Sequence, residues 1–131
     1  MKKGVELLYT KVHYQTSECY FFFDPELEEL VGRMTIDESN GNNAQVSLSA
    51  VDEFSKGKGI GKNMYLTILN IYDTIYSDTI LYPDSLNVWV NVLPNYAKSF
   101  GYINSSRRKK KFSPGTKINF DDVYRFYASN K

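Results

Sequence analysis

The sequence predicts a mixed α/β fold, a sheet of six to seven strands flanked by helices, and three observations carry that expectation. The front of the chain is a succession of strand-like segments separated by short polar turns. A glycine-rich turn then joins an alternating strand to an amphipathic helix. Beyond it, proline, glycine and aspartate punctuate further short apolar segments. At 131 residues the chain is long enough for one proper core and too short for two, so residues 1–131 read as a single domain.

Taken in order, Val5 to Tyr14 and Cys19 to Phe23 read as two strands joined by Gln15–Glu18. Asp24–Glu29 turns the chain, Leu30 to Asp37 is a third strand, and Glu38–Asn43 is a turn with Asn-Gly-Asn chemistry. Ala44 to Val51 is the fourth strand, in which Val46, Leu48 and Ala50 alternate with Gln45, Ser47 and Ser49. After the glycines, Met64, Ile68, Ile71 or Tyr72, and Ile75 recur at helical spacing, and Asp78–Tyr82 ends that helix. Pro83–Ser85 is a turn, and Leu86, Val88 and Val90 alternate as a fifth strand. Pro94 would cost about 3 kcal/mol inside one helix from Ser85 to Phe100 but is welcome in the first turn of a short helix from Leu93 to Phe100. Gly101 then stops the helix and Tyr102–Asn104 opens a sixth strand. The charge run Arg107–Lys111 and the turn Ser113–Gly115 lead to a last strand near Lys117 to Phe120. Asp121 caps a final short helix carrying Val123, Phe126 and Tyr127.

Composition narrows the function classes. A net charge of +1 gives no global field for nucleic acid or a membrane surface. The lone cysteine, Cys19, excludes an internal disulfide and points to a reducing compartment. No apolar stretch reaches membrane-spanning length, and Met1–Val5 lacks the apolar run of a signal peptide, so a cytoplasmic protein is expected.

The chemistry concentrates in Ser55-Lys-Gly-Lys-Gly-Ile-Gly-Lys-Asn63. Glycines at positions 57, 59 and 61 remove every second side chain, which lets backbone amides approach a ligand closely. Those amides fall at a helix N-terminus, where unpaired N–H groups and the helix dipole favour an anion. Lys56, Lys58 and Lys62 add positive charge, so a pyrophosphate fits. A Walker loop is excluded because Gly57 to Gly61-Lys62 leaves three intervening residues and Asn63 replaces the magnesium-binding hydroxyl. The run G-x-G-x-G also fails the dinucleotide fingerprint G-x-G-x-x-G. Neither an ATPase nor an NAD enzyme is supported.

The loop resembles the acetyl-CoA signature of the GNAT N-acetyltransferase superfamily, Q/R-x-x-G-x-G/A, with Lys56 in the Q/R position and Gly59 and Gly61 as the paired glycines. A second family signature, roughly N-x-x-A-x-x-L-Y-x-x-x-G-F, is approached by Asn91 to Tyr102, which keeps the asparagine, the glycine and the final aromatic with the interval one residue short. The resemblance implies a mostly antiparallel sheet, trimmed at the front, whose strands 4 and 5 splay apart around a pantetheine arm. It implies acetyl-CoA as co-substrate, an amine acceptor and no metal. Ala50 and Val51 would present backbone groups to the acetyl end, and the amides from Lys56 through Gly57, Lys58, Gly59, Ile60 and Gly61 to Lys62 would hold the pyrophosphate. Asn91 would contact pantetheine, or it caps a helix before Pro94.

The catalytic groups are less defined. The family's tyrosine acid falls on Ala97, and the neighbouring Tyr96 is the candidate to replace it; alternatively Tyr96 is an ordinary packed aromatic among eleven tyrosines. For a base the choices are Glu53, Asp52, Asp37 and His13. A carboxylate beside several lysines, as at Glu53 and Asp52, reads as a solvated charge rather than a base. Although His13 has a suitable intrinsic pKa, a lone histidine in a strand is more often structural.

The family places helices between its first two strands, and here only a hairpin's length separates Tyr14 from Cys19. That side of the acceptor site is expected to be open to a protein or RNA substrate, or to be closed by a partner or a second subunit in a homodimer. Arg107–Lys111 has three readings: a solvated hairpin edge, a clamp for the adenosine 3′-phosphate, or a patch for RNA or an acidic partner. A non-catalytic CoA-binding module and a basic protein- or RNA-binding domain remain as alternatives to the enzyme.

Overall fold

The computed structural model describes residues 7–38, 42–52, 59–112 and 117–131. Eight strands form one sheet: β1 (Leu8–Tyr14), β2 (Ser17–Asp24), β3 (Glu29–Glu38), β4 (Asn43–Val51), β5 (Thr74–Tyr76), β6 (Ser99–Asn104), β7 (Lys109–Lys111) and β8 (Val123–Ser129), in the order β1-β2-β3-β4-β5-β8-β6-β7. Every neighbouring pair is antiparallel except β4 with β5.

The first four strands fall close to where alternation places them. A bulge at Ser47 in β4, however, turns Leu48 and Ala50 to the face opposite Val46, so Val46 is buried and Leu48 exposed, against the expectation that the three share one face. β1 and β2 are joined by the tight turn Gln15–Thr16, in which Gln15 adopts a left-handed φ of 55°. On one face of these strands Tyr20, Phe22, Met34, Ile36 and Val46 are buried, and helix α1 (Ile60–Ile71) packs there through Ile60, Met64, Tyr65, Ile68 and Leu69. Gly32 lets Met64 approach: a Cβ at Gly32 would lie 2.4 Å from the Met64 Sδ. The Tyr72 hydroxyl at the end of α1 bonds the Tyr20 hydroxyl at 2.9 Å.

The back half departs from the sequence expectation in five places. The helix stops at Ile71 rather than running to Ile75, because Tyr72 turns extended and β-branched Thr74 and Ile75 enter the sheet as β5. The expected fifth strand over Leu86–Val90 is helical: α2 (Pro83–Asn87) starts with Pro83 in its first turn and continues through a π turn, Val88–Val92, and a 3₁₀ turn, Leu93–Asn95. Leu86, Trp89 and Leu93 satisfy helical spacing as well as Leu86, Val88 and Val90 satisfy alternation, and burial of Trp89 and Leu93 decides for the helix. Pro94 falls after the π turn, where the Leu93 N–H already reaches back to the Val88 carbonyl.

Consequently no helix runs from Leu93 to Phe100, and Gly101 is a strand residue of β6 rather than a helix stop. The last helix is also replaced: Val123, Phe126 and Tyr127 belong to β8, which lies between β5 and β6 in the interior of the sheet. Burial of Phe126, Tyr127, Ala128 and Ser129 rewards that non-local pairing over a local helix. Residues 117–119 form no strand, and a 3₁₀ turn, Phe120–Asp122, is capped by Asn119 rather than Asp121. β7 forms the outer edge with three exposed lysines, which matches the solvated-edge reading of that charge run.

Candidate functional site

The parallel pairing of β4 with β5 covers only Asn43–Gln45 against Thr74–Tyr76. From Val46 to Val51, β4 continues with no described strand on that flank, so alternate backbone groups face a gap. α1 begins at the far end of this gap and α2 lies across from β4. Between them is a cleft of about 630 Å³, lined on one side by Ser49, Ala50, Val51, Gly59, Ile60 and Gly61, with Tyr65 behind them, and on the other by Tyr82, Asp84, Ser85 and Val88.

The α1 end of the cleft suits an anion. Gly59, the residue before the helix, holds a left-handed φ of 77° that an L side chain adopts only under strain. Among the described residues no side chain caps the helix and none in its first turn is acidic, so the amides of Ile60, Gly61 and Lys62 present the positive end of the dipole to the cleft. A Cβ on Gly61 would meet nothing closer than Val51 Cγ2 at 3.7 Å, so the backbone there is open to the cleft.

Deeper in, hydroxyl groups gather. Ser49 Oγ lies 3.1 Å from the Tyr65 hydroxyl and 3.4 Å from Ser85 Oγ, which ties β4, α1 and α2 together. A second cavity of about 90 Å³, walled by Val46, Leu48, Ile80 and Leu81 with Asp78, shares Ser49, Tyr65, Tyr82 and Ser85 with the cleft. The hydroxyl cluster therefore stands where two cavities meet. Sequence reading missed it; the available signal is that Tyr65 lies one helical turn after Gly61 and so shares its face.

Of the expected site residues, Ala50, Val51, Gly59, Ile60 and Gly61 line the cleft. Lys62 is on the first turn of α1, its ammonium 5.1 Å from the centre of the Tyr96 ring. Glu53, Lys56, Gly57 and Lys58 lie outside the described residues. Tyr96 is half exposed on the turn after the 3₁₀ segment and is not among the residues lining the cleft. Asn91 is inside the π turn rather than at a helix start; its amide donates to Asn87 Oδ1 at 2.8 Å and its carbonyl accepts from Asn95 at 2.9 Å.

The remaining base candidates are apart from the cleft lining. His13 is exposed on β1 and pairs with Glu18 at 2.9 Å. Asp37 accepts hydroxyl hydrogen bonds from Ser17 and Ser47. Asp52 follows β4, its amide bonded to the Val31 carbonyl at 2.7 Å. Three tyrosines elsewhere have perturbed acidity. Burial pushes Tyr20 and Tyr127 up, whereas a hydrogen bond from Arg125, aided by the charges of Arg125 and Arg107, pulls Tyr124 down.

No protein-family model matches the sequence, and no curated protein matches it. Solved structures do. A GNAT-family acetyltransferase from Staphylococcus aureus is similar over 88% of this chain and 69% of its own, at 20% identity and a TM-score of 0.53. The fold is that of the GNAT acetyltransferases. An acetyltransferase from Bacillus subtilis, solved in complex with CoA, covers 95% of this chain and 99% of its own at 16% identity and a TM-score of 0.59. An IAA acetyltransferase from Bacillus cereus covers 88% and 79% at 17% identity and a TM-score of 0.54. Among the described residues no helix is long and apolar enough to cross a membrane.

Proposed function

We propose that this chain is a single-domain N-acetyltransferase that takes acetyl-CoA and acetylates an amine. One observation carries the proposal: the β4–β5 ladder breaks after Gln45, and the gap it leaves runs into a glycine-edged, uncapped helix N-terminus. A long ligand with an anionic middle and a thin arm fits that shape. The Bacillus subtilis protein of the same fold was solved with CoA, which supports the choice of ligand.

Acetyl-CoA supplies an activated thioester; the chain's share is holding and polarising it. The first-turn amides of α1, with Lys62, hold the diphosphate. Backbone groups at Ala50 and Val51, freed where β4 has no partner, orient the acyl end and polarise its carbonyl. The amine arrives neutral, forms the new C–N bond as the C–S bond breaks, and loses its proton to water or a base, while the departing thiolate is protonated. Placement of the two reactants contributes most of the rate.

The acceptor is carried on a macromolecule. Supporting this, the two-residue turn between β1 and β2 leaves no helices over that edge of the sheet, so one side of the acceptor approach is open. The lone Cys19 favours a reducing, cytoplasmic setting. The test is thiol release from acetyl-CoA in the presence of a lysine-rich protein, a structured RNA and free alkylamines. Faster turnover with a macromolecule agrees with the proposal, and fast turnover of a small free amine contradicts its acceptor.

A second reading, a CoA-binding module without turnover, is favoured by Ala97 at the family's tyrosine position and by Tyr96 standing outside the cleft lining. It predicts binding of acetyl-CoA with no thiol release under any acceptor.

A further inference from the structure

The strand registers arrange the second face of β1–β4, the one opposite α1, into rows. Val12, Cys19, Thr35 and Leu48 form one row across the four strands. Thr10, Phe21, Arg33 and Ala50 lie on one side of it, with Leu8, Phe23 and Leu30 beyond, and Tyr14, Ser17, Asp37 and Gln45 lie on the other. This face is apolar yet open: Leu8 is 57% exposed, Val12 46%, Tyr14 64%, Leu30 50% and Leu48 42%. Scattered exposed apolar residues are ordinary, but a contiguous sheet face of them marks a docking surface.

We infer that this face packs against the same face of a second copy of this chain. The charges on it are self-complementary. Arg33, exposed, and Asp37 sit on β3 two residues either side of Thr35 and on the same face. Consider a two-fold axis between two stacked sheets, running along the row of Thr35. It lays β3 antiparallel over its copy, at the usual sheet-to-sheet separation of about 10 Å. Arg33 then stands over the partner's Asp37, and the symmetry forms the reciprocal pair. The same axis stacks Val12 and Leu48, apolar residues of the axial row, on their own copies. Asp37 keeps acceptor capacity for this, since its two serine donors leave lone pairs on both oxygens. With a net charge of +1, two copies approach without appreciable repulsion.

The test is sedimentation equilibrium of the full chain at micromolar concentration, with circular dichroism to confirm folding of each variant. The wild type is expected at twice the 15.1 kDa of one chain. Val12→Glu and Arg33→Asp should each sediment as folded monomers, and Arg33→Asp combined with Asp37→Arg should return to the dimer. A monomeric wild type overturns the inference. So does a dimer whose mass neither single variant changes. Should the double variant misfold because Ser17 and Ser47 lose their acceptor, Val12→Glu decides. Acetyl-CoA titration of the same samples is an independent readout, so failure of the dimer leaves the enzymatic proposal standing and the converse also holds.

Discussion

The Tyr65 hydroxyl sits 3.1 Å from Ser49 Oγ, joining the first turns of α1 to the part of β4 that has lost its partner strand. Ser49 in turn reaches Ser85 at the start of α2, so one short chain of hydroxyls holds three walls of the cleft in register.

Tyr65→Phe removes one end of that chain. Stability should fall by about 1 kcal/mol, the net worth of one buried hydrogen bond. If the cluster fixes the geometry at the junction of the two cavities, turnover should drop about tenfold, because small misplacements are amplified in rate. Affinity for acetyl-CoA, set at the other end of the cleft, should stay unchanged. Unfolding by urea and steady-state kinetics with a calorimetric Kd separate the three effects.

Gly59 and Gly61 should respond differently to the same change. Gly59→Ala forces a side chain into left-handed backbone at φ 77° with open space around it, costing about 1–2 kcal/mol through conformation alone. Gly61→Ala meets only ordinary contact with Val51 at 3.7 Å and should leave the melting temperature near wild type. Differential scanning calorimetry of the two variants reads the contrast directly.

Gly101 is a packing glycine. A Cβ there would lie 2.1 Å from the Lys110 carbonyl oxygen and 2.9 Å from the Tyr127 hydroxyl, so β7 must shift to admit it. Gly101→Ala should destabilise by about 1–3 kcal/mol, the usual cost of overpacking. Chemical denaturation measures it.

Much of this architecture was legible in the sequence, and the failures share a physical cause. β1 to β4 were readable because each is long and pairs with its sequence neighbour, although the bulge between Val46 and Leu48, which alternation alone does not announce, reverses the facing of the second half of β4. The start of α1 was readable because Gly59 and Gly61 announce both a helix boundary and an open backbone. The back half misled where a segment satisfied both periods. Leu86, Trp89 and Leu93 suit a helix while Leu86, Val88 and Val90 suit a strand, and only the core that receives Trp89 chooses. Val123, Phe126 and Tyr127 fit a helix locally, yet β5 and β6, distant in sequence, draw them into the sheet. β5 itself has three residues, too few for any periodicity. In the site, backbone-lining glycines were legible because they are rare residues with one use. The Ser49–Tyr65–Ser85 cluster was not, since common residues from three elements meet only after folding.

Alkaline pH should unfold the protein through its buried tyrosines. Tyr20 and Tyr127 have pKa values raised above the ordinary 10.0, first by burial, so the unfolded chain gives up these protons at lower pH than the folded one. Their contribution is fully present below pH 10 and is lost as pH rises through the raised values. The urea midpoint should therefore fall as pH rises above about 10. Tyr20→Phe should flatten that fall while lowering stability at pH 7 through loss of its bond to Tyr72.

Calorimetric titration with acetyl-CoA, comparing the wild type with Gly61→Glu, decides whether the cleft at the start of α1 holds the co-substrate. The wild type should bind with micromolar affinity. The carboxylate of Gly61→Glu, placed in the first turn of α1 at the cleft wall, should abolish binding while leaving the protein folded. Absence of binding to the wild type, or equal binding to both proteins, would contradict that placement of the co-substrate.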